Sequence, residues 1–182
     1  MPAPAEVDVA TRMSAAERAA SFQIAGLYAL RMLGLFMVLP VLALYARGLP
    51  GATPFKLGLA LGIYGLTQAL LQIPFGSLSD RIGRKPMLLF GLVLFGLGSL
   101  VAGLGSSIDT IILGRALQGA GAISAVLSAL LADLTRPDQR TKAMAIVGVT
   151  IGISFSLSMF MGPVLDRLMG VRGIFLLTAF LT

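Results

Sequence analysis

The chain of 182 residues has no cysteine, no histidine and no tryptophan. Without cysteine there is no disulfide framework, no thiolate metal site and no thiol nucleophile. Without histidine, imidazole acid–base catalysis and the usual zinc sites are excluded. Charge is also scarce. Charged residues make up 12% of the chain, against about 25% in an ordinary soluble domain. What fills the space is apolar: 57% hydrophobic residues and a mean hydropathy of +0.92. A domain of this size buries only roughly 70% of its unfolded surface. That is too little interior for so much apolar surface, so a water-soluble globule and a disordered chain are both excluded.

The apolar residues fall into runs of membrane-spanning length, since a helix needs about 20 residues to cross ~30 Å of hydrocarbon. The runs predict spans at about 22–46, 57–78, 86–104, 108–131 and 143–165, with a sixth at 173–182 that is too short to cross. The short sixth run is expected to be the start of a longer segment, with the chain the front part of a longer protein. Residues 1–21 hold Glu6, Asp8, Arg12, Glu17 and Arg18 and lack the short apolar centre of a signal peptide. They are expected to be a polar cytoplasmic tail, with a short amphipathic turn at 14–21. Short loops make successive helices antiparallel neighbours.

The net charge of +6 does not read as a nucleic-acid surface, because the charges are split between apolar runs. It reads as topology. With the N-terminus in the cytoplasm, Arg12, Arg18, Arg81, Arg84, Lys85, Arg136, Arg140 and Lys142 lie inside. Arg47, Lys56, Arg167 and Arg172 lie outside. The excess of basic residues on one side follows the positive-inside rule. Arg31 and Arg115 fall within spans. An ionisable group at such depth costs at least ~2.5 kcal/mol unless it snorkels or faces water, and by default marks a functional pathway. Each could line a cavity or snorkel to the nearer surface.

The loop between the second and third spans reads Gly76-Ser-Leu-Ser-Asp80-Arg81-Ile-Gly83-Arg84-Lys85-Pro86. Gly76 lets another helix approach closely, and Gly83 can take a positive φ in a tight reversal. Asp80 and Arg84 are four apart and can pair on a helix. Pro86 suits a first helical turn. The segment resembles motif A of the major facilitator superfamily. The stretch around Arg115, Gln118, Gly119 and Gly121 resembles the family's motif B. Gly148, Gly152, Gly162 and Pro163 resemble a degraded motif C of its antiporters, departing from that pattern at Ser158 and at Asp166-Arg167. Arg31–Pro40 and Arg136–Arg140 are similar to YajR-type bacterial transporters, and the overall pattern to drug–proton antiporters.

The resemblance implies an all-α membrane protein: the N-terminal six-helix half of a twelve-helix fold, built from two three-helix repeats. It implies a secondary transporter of small molecules in a bacterial inner membrane, working by alternating access and expected to be a proton-coupled exporter. A uniporter or importer of the same family, or a non-transporting fragment or structural membrane protein, stay open. Motif A residues Gly76, Asp80, Arg81, Gly83, Arg84 and Lys85 would form a conformational latch with Asp133 as partner. Arg31, Arg115 and Gln118 would be coupling or cavity residues, and Gly148, Gly152, Gly162 and Pro163 would pack helices. The implied partners are the lipid bilayer, a small-molecule substrate, protons and a C-terminal half, with no nucleic acid, cofactor or metal. An intramembrane enzyme is disfavoured, because the spans hold no His, Lys or paired carboxylates to partner a nucleophile or a metal. The eight acids all lie outside the spans or at their ends, so no embedded carboxylate stands out as a proton carrier.

Overall fold

The computed structural model describes residues 12–182, so the first half of the expected tail lies outside the described residues. Among the described residues there are six α-helices and one 3₁₀ turn: α1 Ala15–Arg47, α2 Pro54–Ile82, α3 Arg84–Leu104, α4 Ile108–Ala120, α5 Ser124–Asp133, the turn Pro137–Gln139, and α6 Arg140–Leu181. Among the described residues five stretches are long and apolar enough to cross a membrane, with α4 and α5 together forming one of them.

Helix ends follow local chemistry. Ser14 and Glu17 form a reciprocal capping box that starts α1 seven residues ahead of the apolar run, so helix replaces the expected polar tail from Ala15 onward. Thr53 caps α2 with Pro54 in its first turn, and Ser107 caps α4. The apolar runs mark only the oily part of each helix, and the caps carry it further. Gly83 has φ +99° and joins α2 directly to α3, a conformation that costs glycine little.

Three expected spans differ in kind. The fourth is broken at its centre: Gly121 leaves the helix at φ −72°, ψ 53°, and α5 begins at Ser124. The fifth and sixth meet without a loop at Gly170, whose φ 69°, ψ 168° divides α6 into two helical arms. That break is a reversal. Ser158 hydrogen-bonds toward Leu33, and a Cβ on Gly162 would meet Met37. Arg172 reaches Tyr45, and Thr178 returns to Gly34. Residues 140–169 thus run parallel to α1 and residues 171–181 run back along it, a hairpin with almost no loop.

The core runs the length of the bundle in two clusters. Tyr28, Phe75, Met87, Phe95, Ile123 and Leu127 fill the end nearer Gly83. Leu42, Ala60, Ala102, Ile111, Ile174 and Phe175 fill the other. Helices meet backbone to backbone where α3 crosses α4. A Cβ on Gly98 would lie 2.5 Å from the Gln118 backbone nitrogen, and one on Gly114 2.7 Å from that of Ala102. Lipid supplies no hydrophobic drive between helices, so close packing of this kind has to hold them together. At the end remote from Gly83, Lys56 pairs with Asp109 at 2.7 Å, and Arg172 donates to Tyr45 and to the Gly105 carbonyl.

Burial is lopsided. Large apolar side chains of α2 (Leu66, Leu70, Ile73) and of residues 140–169 (Val149, Ile153, Phe160) stay exposed. Such continuous apolar faces mark contact with lipid or with other helices.

Candidate functional site

Two polar clusters stand out in this apolar bundle. The first lies where α2 meets α3. Arg84 sits in the first turn of α3, placed by the Gly83 reversal so that its guanidinium turns back over the end of α2. It pairs with Asp80 one turn earlier in the sequence, donates to Ser79 Oγ at 2.6 Å and, through Nε, to Asp133 Oδ2 at 3.0 Å. Ser79 Oγ in turn donates to the Gly76 carbonyl. A Cβ at Gly76 would meet Ala125 at 3.6 Å, ordinary contact, so α2 and α5 lie close here. One cation therefore ties α2, α3 and the end of α5. Arg81 and Lys85 are exposed. Asp80 and Asp133 are half-exposed, which leaves both able to exchange partners.

Next to it stands a pair that the sequence reading missed. Glu17 Oε1 accepts from the Arg136 backbone N–H at 2.9 Å and from its Nε at 3.0 Å. Its Oε2 accepts from Ser14 N–H at 2.7 Å. These donors hold the Glu17 carboxyl well below the usual carboxylate range, with the Arg136 side chain the largest cause. The carboxylate in turn raises the Arg136 guanidinium. The signal was present as Ser14-x-x-Glu17, a helix-start signature.

The second cluster lies mid-bundle, at the break between α4 and α5. Unwinding at Gly121 leaves its carbonyl with the Ile123 N–H alone as backbone donor, at 2.8 Å in a tight turn, at a depth where backbone groups must be satisfied within the protein. Arg31 supplies a second, charged donor: Nη2 to Gly121 O at 2.8 Å and Nη1 to Ser124 Oγ at 3.0 Å. It sits at the C-terminal end of α4, where the helix dipole favours a cation, with its guanidinium 5.5 Å from the Phe95 ring centre. Gln68 also reaches Ser124 Oγ, and Tyr28 donates to the Ser124 carbonyl. Arg115 belongs to a separate network. It donates to Gln118 Oε1 at 2.9 Å, Gln118 donates to Ser99, and the guanidinium lies 5.0 Å from the Tyr64 ring centre.

Arg31 and Arg115 are 3% and 1% exposed, so neither snorkels to a surface. Arg31 borders a space of about 40 Å³ with Leu92 and Phe95, room for one water. Of the motif C-like residues, Gly162 packs tightly on α1 between Met37 and Pro40. Gly148 and Gly152 face nothing within 4 Å, and Pro163 lines a shallow apolar groove with Met159 and Phe160. The glycines of one apparent motif thus have different surroundings. Among the described residues no cluster of acids could hold a metal ion.

Comparison with known proteins agrees with this architecture. The family model described as Major Facilitator Superfamily matches residues 24–182. Over 170 residues the chain is 54% identical to the inner membrane transport protein YajR of Escherichia coli (strain K12), covering 93% of this chain and 37% of that protein. It is 36% identical over 155 residues to the multidrug resistance protein MdtL of Shewanella sp. (strain ANA-3), covering 80% and 38%. It is 32% identical over 141 residues to the class B tetracycline resistance protein of Escherichia coli, covering 76% and 34%. The chain therefore spans under two fifths of each of these relatives, and it corresponds to their N-terminal portion. With span-length apolar helices, a charged α2–α3 reversal and a family match over most of its length, the chain belongs to the Major Facilitator Superfamily, a family of multi-pass membrane transporters and not of enzymes.

Proposed function

We propose that this chain forms the N-terminal half of a proton-coupled exporter of small molecules, with its N-terminus and the Gly83 reversal in the cytoplasm of a bacterial cell. In this reading α1, α2 and α3 form one three-helix repeat. The second repeat is α4 with α5, then residues 140–169, then residues 171–181. A C-terminal half covers the exposed faces of α2 and of residues 140–169, and substrate binds between the halves and is released by their rocking. The names of two relatives, a multidrug and a tetracycline resistance protein, favour export of this kind.

The observation that carries the reading is the Arg84 cluster. A switchable latch needs charged partners that hold one state and can let go. Half-exposed ion pairs are worth only about 0.2–1 kcal/mol each, enough to bias two states and too little to trap one. Arg84 shared between Asp80 and Asp133 fits that requirement. In the other state of the cycle Asp80 exchanges Arg84 for a helix N-terminus of the C-terminal half, where a carboxylate is favoured. The mid-bundle cations Arg31 and Arg115 shape the electrostatics around the coupling group. Among the described residues every acid lies at or near a helix end, so that group belongs to the C-terminal half.

The test is flux in proteoliposomes holding the full-length protein, with an imposed pH gradient and tetracycline or ethidium as probe. The gradient should drive transport, and Asp80→Asn should slow it about fivefold, the value of ~1 kcal/mol in the latch. Flux that ignores the gradient would favour a uniporter. Unaltered flux in Asp80→Asn and Asp133→Asn would refute the latch.

A further inference from the structure

We propose that Glu17 is a positioning residue for the latch: from the first turn of α1 it fixes the Leu134–Arg136 turn, and so sets Asp133 where Arg84 can reach it. The inference rests on the latch reading above and extends it to a residue outside motif A.

The two ion pairs at this end of the bundle differ in kind. The Arg84–Asp133 pair is half-exposed on its acidic side, 54% for Asp133, and such a pair cannot define its own geometry against solvent competition and side-chain entropy. The Glu17–Arg136 pair has a buried acid, 7% exposed. A buried carboxylate left without its partner is strongly destabilising, so this pair is held closed.

The contacts also have the form of a clamp. Glu17 binds Arg136 through its backbone N–H as well as its side chain, so it fixes the course of the chain and not only a side-chain tip. Arg136 Nη2 donates to the Arg12 carbonyl, closing the clamp from the other side of the capping box. Thr135 Oγ1 donates to the Leu131 carbonyl, which makes the turn a rigid continuation of α5. Asp133 lies within that segment, three residues before Arg136. The path from Glu17 to Arg84 thus runs through one helical turn of fixed backbone. It joins α1, whose other end packs against residues 171–181, to the end of α5 that the latch grips. A rocking motion that shifts α1 against α5 would loosen the latch through this contact.

The test needs no substrate. Ser77 on α2 and Leu134 on the turn are both exposed, and the chain has no native cysteine. Nitroxides attached to Ser77→Cys and Leu134→Cys in the full-length protein report the distance across the latch by electron paramagnetic resonance. The wild-type background should give one narrow distribution. Glu17→Ala should add a longer, broader population, as should Arg84→Ala. Glu17→Gln keeps an acceptor for the Arg136 N–H groups and should stay close to wild type. Arg136→Ala, at a half-exposed side chain, repeats the test should Glu17→Ala not fold. A narrow distribution in both Glu17→Ala and Arg136→Ala, with Arg84→Ala broadened, would overturn the positioning role and leave the latch standing. A narrow distribution in all three would overturn the latch reading itself.

Discussion

Replacing Gly98 by alanine puts the close crossing of α3 and α4 to a quantitative test. The added Cβ would stand 2.5 Å from the Gln118 nitrogen and 2.6 Å from the Gly114 carbonyl oxygen, against about 3.4 Å for ordinary contact. Both obstacles are backbone, so no side chain can swing away, and α4 has to move by nearly 1 Å. Overpacking of this kind costs about 1–3 kcal/mol. At roughly 2–4 °C per kcal/mol for a chain of this size, the melting temperature of the purified protein in detergent should fall by several degrees. The displaced segment carries Arg115 and Gln118, so the Gln118–Ser99 hydrogen bond should weaken as well. The control is Gly148→Ala. Nothing lies within 4 Å of that position, and alanine gains up to about 1 kcal/mol of helix propensity. Thermal unfolding of both variants, made in the 182-residue chain, decides the matter. A Gly98→Ala protein as stable as wild type, or a Gly148→Ala protein equally damaged, would refute the packing argument. In a complete transporter, by contrast, Gly148→Ala should lose stability if that face is covered by the other half.

Three further outcomes follow from the same geometry. Arg31→Met should remove two charge-assisted hydrogen bonds, to the Gly121 carbonyl and to Ser124 Oγ, leave that carbonyl only the Ile123 N–H, and destabilise the protein by about 1–3 kcal/mol, with Arg31→Lys intermediate; melting temperatures equal to wild type in both would contradict a role for Arg31 as a strut across the break. The folded-state pKa of Glu17 is depressed from 4.5 to about 2 by Arg136 and the Ser14 N–H, so its stabilisation is complete above pH 4.5 and is lost as the pH falls toward about 2. Wild type and Glu17→Gln should therefore differ in melting temperature at pH 7 and converge in acid, and a gap that is constant with pH would show that the charge is irrelevant. For topology, a cysteine at exposed Asp138 should react with an impermeant maleimide only from the cytoplasmic side, and one at exposed Ser106 only from outside; the reverse would invert the orientation.

Much of the architecture was legible because it is written in composition. Apolar runs of span length mark membrane helices wherever they occur, and Asp80, Gly83 and Arg84 at fixed spacing announce a charged reversal from sequence alone. The break in the fourth span was not legible. Gly121-Ala-Ile is as apolar as the helix around it, and hydropathy does not report φ and ψ. What betrays the break is a tertiary partner, Arg31, some ninety residues away. The fifth and sixth runs read as separate segments, while the near absence of a loop between them depends on one positive-φ glycine, Gly170. Glu17 was hidden for the opposite reason: its polar neighbours made it look like tail, and only its packing against Arg136 gives it a buried role. Likewise Gly148 and Gly162 look alike in sequence, while only the second meets a neighbouring backbone.

The strut between Arg31 and the broken span has a consequence for the order of synthesis. Arg31 leaves the ribosome 90 residues before Gly121 and 93 before Ser124, which at about 5–20 residues per second is a delay of roughly 5–20 s. During that interval α1 carries a lone cation that costs it at least ~2.5 kcal/mol in the bilayer. The first helix is thus a provisional guest of the translocon until the fourth arrives. Nascent chains arrested before residue 121 should be easier to extract from the membrane than chains arrested just beyond 124, so the polypeptide secures its first membrane crossing only in retrospect.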